Sequence, residues 1–160
     1  IGRIKNEVDM LKRLNKYNIG PKFLFSGENY LVYVFAKGVM FPEYIRENNK
    51  EKIIKVLENI FSQLQKLDDL GINKEEMHKP NKHIVIGKHV TMIDFERARF
   101  TKKPQNITQF VKYLTSGNIR PILQDKSFTF QGDKLIDMSK NYRQGKLKAE
   151  QIIEYIKNGI

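Results

Sequence analysis

Asp94 closes an apolar run, Val90-Thr91-Met92-Ile93-Asp94-Phe95, so its carboxylate stands at what reads as the end of a buried strand. A hard cation needs a carboxylate oxygen at a fixed position, and a strand end supplies one. An Asp in such a place can equally cap the segment that follows it. The polar, proline-containing stretch 72–83 brings Glu75, Glu76, His78, Asn81 and His83 close together in sequence. Its histidines also fit a plain surface or hairpin role. Glu7 lies inside an apolar stripe of Ile4, Val8, Leu11 and Leu14. An unpaired charge is costly to bury there, so its carboxylate should face inward to a cation or rest in an exposed first turn where the helix dipole favours it.

These residues depend on the elements around them. Residues 3–16 read as a helix with that stripe on one face, ended by Asn18-Ile19-Gly20-Pro21. Two strand-like runs, 23–26 and 30–36, flank Gly27-Glu28-Asn29 as a hairpin turn. Lys37-Gly38 releases the chain into a short helix near 42–47. The longest periodic segment is 51–70, with Ile53, Leu57, Ile60, Phe61, Leu64 and Leu67 at helical spacing and Gly71 closing it. Residues 72–83 read as a loop, and the runs 83–86 and 90–95 around Gly87-Lys88-His89 as a second hairpin. Asn106 with Gln109 resembles a capping box ahead of Ile107, Phe110, Val111 and Leu114. Helices around 133–143 and 148–158 complete a single α+β domain with two small hairpins.

Composition narrows the classes. The 160 residues include no cysteine, which excludes disulfides and thiolate metal sites. No apolar run is long enough to span a bilayer, no secretory core segment opens the chain, and a cytoplasmic setting with no membrane partner is expected. The net charge of +11 is spread along the chain. It suits anionic partners such as nucleotide phosphates, or nucleic acid bound diffusely, and it also suits lysines that simply solvate exposed faces.

Two stretches resemble protein kinases. Tyr30-Leu31-Val32-Tyr33-Val34-Phe35-Ala36-Lys37-Gly38 through Phe41-Pro42-Glu43-Tyr44-Ile45 is similar to the kinase hinge, and Thr91-Met92-Ile93-Asp94-Phe95-Glu96-Arg97-Ala98-Arg99 to the strand and turn carrying the D-F-G motif, with Glu96 where Gly is usual. The order of elements, from a helix through a hairpin, hinge, long helix, polar loop and second hairpin to Asp-Phe, is that of kinases from helix C onward. The D-F-E-R-A turn and the E-M-x-x-P-x-K-H loop also look like an archaeal group of predicted serine/threonine kinases. The short span after Asp94 is closer to RIO-type or aminoglycoside-type kinases than to signalling kinases. The resemblance covers residues 4–100.

The resemblance implies an ATP- and Mg²⁺-dependent phosphotransferase, with 1–36 as a remnant of the N-lobe (helix C and hairpin) and 37–160 as a helical C-lobe. It would place adenine against Val34, Phe35 and Ala36, and metal at Asp94. Glu76 with Asn81 has the spacing of the catalytic Asp and the metal-binding Asn, so Glu76 would orient the acceptor, a protein or small molecule that the sequence does not specify. A second register puts His83 at the metal position, because it directly precedes Ile84-Val85-Ile86. Glu7 would serve as the helix-C glutamate that meets the phosphate-gripping lysine. No glycine-rich loop or lysine strand precedes Glu7, and the H-R pair of the catalytic loop is absent. A preceding lobe, or a basic residue elsewhere in the chain, would then have to supply Glu7's cation. Those departures leave two alternatives: a catalytically inert kinase-like module binding protein or RNA through its basic surface, and a helical nucleic-acid-binding protein of no kinase ancestry.

Overall fold

The computed structural model describes residues 2–159. Helix α1 (Gly2–Leu14) buries Val8, Met10, Leu11 and Leu14, as the stripe requires. A 3-10 turn at Asn15–Tyr17 ends it, with Asn18 left-handed at φ 57°. Asn15 then organises the reversal: its amide donates to the carbonyls of Ile19 and Pro21, and its Oδ1 accepts from Phe23 N. Strands β1 (Phe23–Ser26) and β2 (Leu31–Tyr33) form the first antiparallel hairpin.

The expected second strand, 30–36, is shorter than the sequence suggested. Pairing stops at Tyr33, and Val34 N donates to Lys22 O at 2.8 Å as the chain peels away. The hairpin and its exit leave Leu24, Phe25, Tyr30, Val34 and Phe35 exposed. Two glycines then hold the linker against the body. Gly38 has φ 151° and any Cβ there would run into Ile86 O, while a Cβ on Gly87 would run into Lys37 O. Only a glycine pair lets the two backbones approach this closely.

Strand β3 (Val39–Met40) joins two later strands, β5 (Ile84–Ile86) and β6 (Val90–Met92), in a sheet of order β3-β5-β6. Helix α2 (Phe41–Glu47) starts with proline in its first turn, where the missing N–H is no loss. Helix α3 (Lys50–Asp69) is capped by Asn49, whose side chain accepts from Lys52 N at 3.0 Å. It buries Ile53, Val56, Leu57, Ile60, Phe61, Leu64 and Leu67. Strand β4 (Ile72–Asn73) follows, then the β5 (Ile84–Ile86) and β6 (Val90–Met92) hairpin, then β7 (Arg99–Phe100), which returns to pair with β4. The two hairpins expected from the sequence are thus three small antiparallel sheets, within the expected α+β class.

Helices α4 (Asn106–Leu114), α5 (Arg120–Asp125), α6 (Gly132–Arg143) and α7 (Ala149–Asn158) complete the chain. Helices α3, α4, α6 and α7 pack on one another. One continuous core runs from Met10 to Ile156. At its centre Phe110 packs against Phe41, Phe61 and Tyr113, with ring centroids 5.6–5.9 Å apart. The expected capping box at Asn106 does not form. Gln105 is the residue preceding the helix, and it makes no side-chain cap. Asn106 is fully buried and its side chain bonds elsewhere. No helix among the described residues is long and apolar enough to cross a membrane.

Candidate active site

The site is assembled from the segment after β4 and the turn after β6. Asn106 fixes the first of these. Its Oδ1 accepts from Lys74 N at 2.8 Å, and its Nδ2 donates to Ile72 O and Asp68 Oδ1, both at 2.7 Å. Asp68 also accepts from Asn106 N and from the Tyr142 hydroxyl. Gln105 N donates to Asn73 Oδ1. The amino end of α4 is therefore laced to residues 68–74. Burial raises the pKa of Asp68 while these donors pull it back, and burial with the neighbouring Asp68 charge raises that of Tyr142.

Beyond Lys74 the chain makes an unusual bend. Glu75 and Glu76 are both left-handed, at φ 64° and 57°. For non-glycine residues that conformation costs about 1–2 kcal/mol each. Arg99 Nε meets Glu75 Oε1 at 2.6 Å on the bend's outer side. Met77, fully buried, and Pro80 anchor the rest of the loop, and His83 N closes a turn onto Pro80 O. His83 O then accepts from Ile93 N at 3.0 Å. That bond sets His83 beside the residue preceding Asp94.

Asp94 is itself left-handed, at φ 66°, where the strand breaks. One ligating atom each from Glu76, His83 and Asp94 lies within 4.8 Å of the others, each side chain partly buried. His83 Nδ1 is 3.0 Å from Glu76 Oε2. Nδ1 is buried and makes no well-aligned hydrogen bond among the described residues. Burial and the positive charge of Lys74 lower the His83 pKa, against the pull of Glu76 and Asp94. The other oxygen of Glu76 lies 3.4 Å from the Arg97 guanidinium, which also approaches Glu96.

Lys74, which sequence reasoning passed over, underlies this cluster. Only 1% exposed, it donates from Nζ to Asp94 O at 2.7 Å and stands 4.8 Å from the centre of the Phe95 ring. Burial pushes its pKa down to about 8, although Asp94, Glu76 and Glu7 favour its charge. It ties the loop after β4 to the turn after β6. A lysine among glutamates ordinarily reads as surface. The usable signal was its place directly after the buried Ile72-Asn73 pair.

From the other side α1 grips the same turn. Glu7 accepts from Phe95 N at 3.1 Å, and Asn6 Nδ2 donates to Glu96 O and Ala98 O. Glu7 therefore faces inward, and what it meets directly is a backbone amide; Lys74 supplies a nearby positive charge. Burial raises the Glu7 pKa, and the Phe95 amide opposes the rise. Of the other residues singled out in the sequence, Asn81 is exposed on the 3-10 turn Pro80–Lys82, whereas His83 is the one that joins Glu76 and Asp94. Val34, Phe35 and Ala36 form the linker leaving the first hairpin, with Phe35 78% exposed.

No family model matches the chain. It is similar to an uncharacterized protein of the archaeon Methanocaldococcus jannaschii, at 29% identity over 80 residues, half of this chain and 69% of that protein.

Proposed function

We propose that the chain is the metal- and nucleotide-holding body of a kinase-like phosphotransferase. The observation that carries this reading is the convergence of Glu76, His83 and Asp94, contributed by two loops and left-handed at two of three positions. A buried ring nitrogen without a well-aligned hydrogen-bond partner among the described residues, 3.0 Å from one carboxylate and grouped with a second, is a donor set that a divalent cation fits. Such a cation, when bound, neutralises phosphate charge. Asp94 and His83 would hold it, with Glu76 Oε2 beside them. Glu76 Oε1, on the Arg97 side, would orient an acceptor hydroxyl or water. The linker residues Val34, Phe35 and Ala36 would offer backbone groups to adenine: outside the strand ladders, Phe35 and Ala36 make no backbone hydrogen bond among the described residues.

Phosphoryl transfer depends mainly on positioning and charge neutralisation, so rigidly held oxygens matter more than a covalent nucleophile. Lys74, Glu7 and Asn106 supply that rigidity by bonding the backbone on both sides of the cluster. The test is calorimetric titration of the chain with ATP in the presence of a divalent ion. Binding abolished by Asp94→Ala, with phosphate transfer to an acceptor or to water, is the expected result. No nucleotide binding under any ion condition removes the reading.

The pairing of Glu76 with Arg97 favours one alternative, an inert module that binds a protein or RNA partner through basic side chains. In that case Glu76 is a structural acceptor for Arg97. Partner binding that falls with salt, without any ATP binding, is its signature.

A further inference from the structure

We propose that the Glu76–His83–Asp94 cluster selects a first-row divalent transition cation of the Mn²⁺ type over Mg²⁺, through direct ligation by the His83 imidazole. This rests on the phosphotransferase reading only for the role of the ion; the ion's identity follows from the ligand set.

Mg²⁺ demands near-ideal octahedral oxygen coordination and sheds water reluctantly. Imidazole suits transition metals, and their affinity for nitrogen exceeds that of Mg²⁺. The two carboxylates alone would be indifferent to this distinction. The imidazole decides it, because its Nδ1 is buried, makes no well-aligned hydrogen bond among the described residues, and lies 3.0 Å from a carboxylate oxygen. Two lone-pair-bearing atoms at that separation repel unless a cation or proton lies between them. Asp94 presents a third donor within 4.8 Å of one ligating atom each from His83 and Glu76. Glu76 and Asp94 both hold left-handed backbones, a local strain of the kind that clusters at ligand-holding sites.

The basic neighbours do not block the site. Lys74 donates to the Asp94 backbone carbonyl rather than to its carboxylate. Arg97 meets Glu76 through Oε1, whereas Oε2 faces His83. The Arg97 side chain is 54% exposed, so it can move to solvent as the cation enters. Glu7 is engaged by the Phe95 amide and adds negative charge nearby without joining the ligand set.

The experiment uses the whole chain stripped of metal. Mn²⁺ is titrated by calorimetry, alone and against Mg²⁺, and the bound Mn²⁺ is examined by electron spin-echo envelope modulation for coupling to imidazole nitrogen. Expected are nitrogen modulation and Mn²⁺ affinity exceeding that for Mg²⁺ by about tenfold or more. His83→Asn, which offers an amide oxygen, should abolish the modulation and lower Mn²⁺ affinity about tenfold, with Mg²⁺ affinity held within about threefold. Absent modulation in the unaltered chain, or equal affinities for the two ions, overturns the inference without recourse to any variant. ATP added with each ion separates the two conclusions. Equal ATP binding with Mg²⁺ and Mn²⁺, and no nitrogen coupling, leaves the phosphotransferase reading standing and refutes this one. Nitrogen-coupled Mn²⁺ without ATP binding under either ion does the reverse.

Discussion

Replacing Asn106 with alanine should be among the most damaging single changes in the chain, and its size can be worked out bond by bond. The side chain accepts from Lys74 N and donates to Ile72 O and Asp68 Oδ1, all at 2.7–2.8 Å in the buried interior. Truncation orphans the Lys74 N–H, at about 1–3 kcal/mol. It removes a bond to a carboxylate, about 1.5–3 kcal/mol, and one to a neutral carbonyl, about 0.5–1.5 kcal/mol. Asp68 keeps two donors, Asn106 N and Tyr142, so the lower half of each range applies. The expected loss is about 3–5 kcal/mol. Urea denaturation followed by circular dichroism measures it, with the slope against urea unchanged if the transition stays two-state. Asn106→Asp preserves the Lys74 contact and sets a second carboxylate against Asp68, so it should be more destabilised at pH 7 than at pH 4. A loss under about 1 kcal/mol for Asn106→Ala would refute the view that this residue staples α4 to the loop after β4.

Other outcomes are open to measurement. Gly87→Ala should lower stability by about 1–3 kcal/mol, because its methyl group meets the Lys37 carbonyl; unchanged stability would show that the linker yields freely. Phe110→Ala, which empties the centre of the aromatic cluster, should cost about 3–5 kcal/mol in the same assay. For Asp68, whose folded pKa is raised, the native state holds the proton more tightly than the unfolded chain. Stability therefore falls as pH rises from 3.8 through the raised folded value, and subtracting the Asp68→Asn curve should isolate that slope. The opposite slope would mean that its hydrogen bonds outweigh burial.

Much of the fold was legible because its elements are long or strongly periodic. Helix α3 shows its inward face as a 3.6-residue repeat, and the β5–β6 hairpin as two apolar runs around a glycine turn. Strands β3, β4 and β7 have two residues each, too few to show any period, and exist because tertiary contacts bring their partners alongside. Helix α5 was missed for a similar reason: six residues carry little amphipathic signal. At the site, Asp94 and Glu76 were visible as carboxylates in telling positions. That His83 rather than Asn81 lies beside Glu76 and Asp94 follows from the bond from Ile93 N to His83 O, which sequence spacing cannot reveal. Asn106 looked like a cap because asparagine near a helix start usually is one. Complete burial turned the same side chain toward the loop instead.

The grip of α1 on the turn after Asp94 also has a kinetic side. Asn6 and Glu7 bond residues 88 to 92 positions further along the chain. During synthesis at about 5–20 residues per second, the partners of α1 follow it by about 5–20 s. Through that interval the apolar face of Val8, Met10, Leu11 and Leu14 has only its local neighbours, the 3-10 turn and β1, to pack against. Contacts of such long sequence separation slow folding, so α1 should be the last element to settle. Amide exchange during refolding would then protect α3 before α1, and the site would acquire its final shape only when the first helix closes over it.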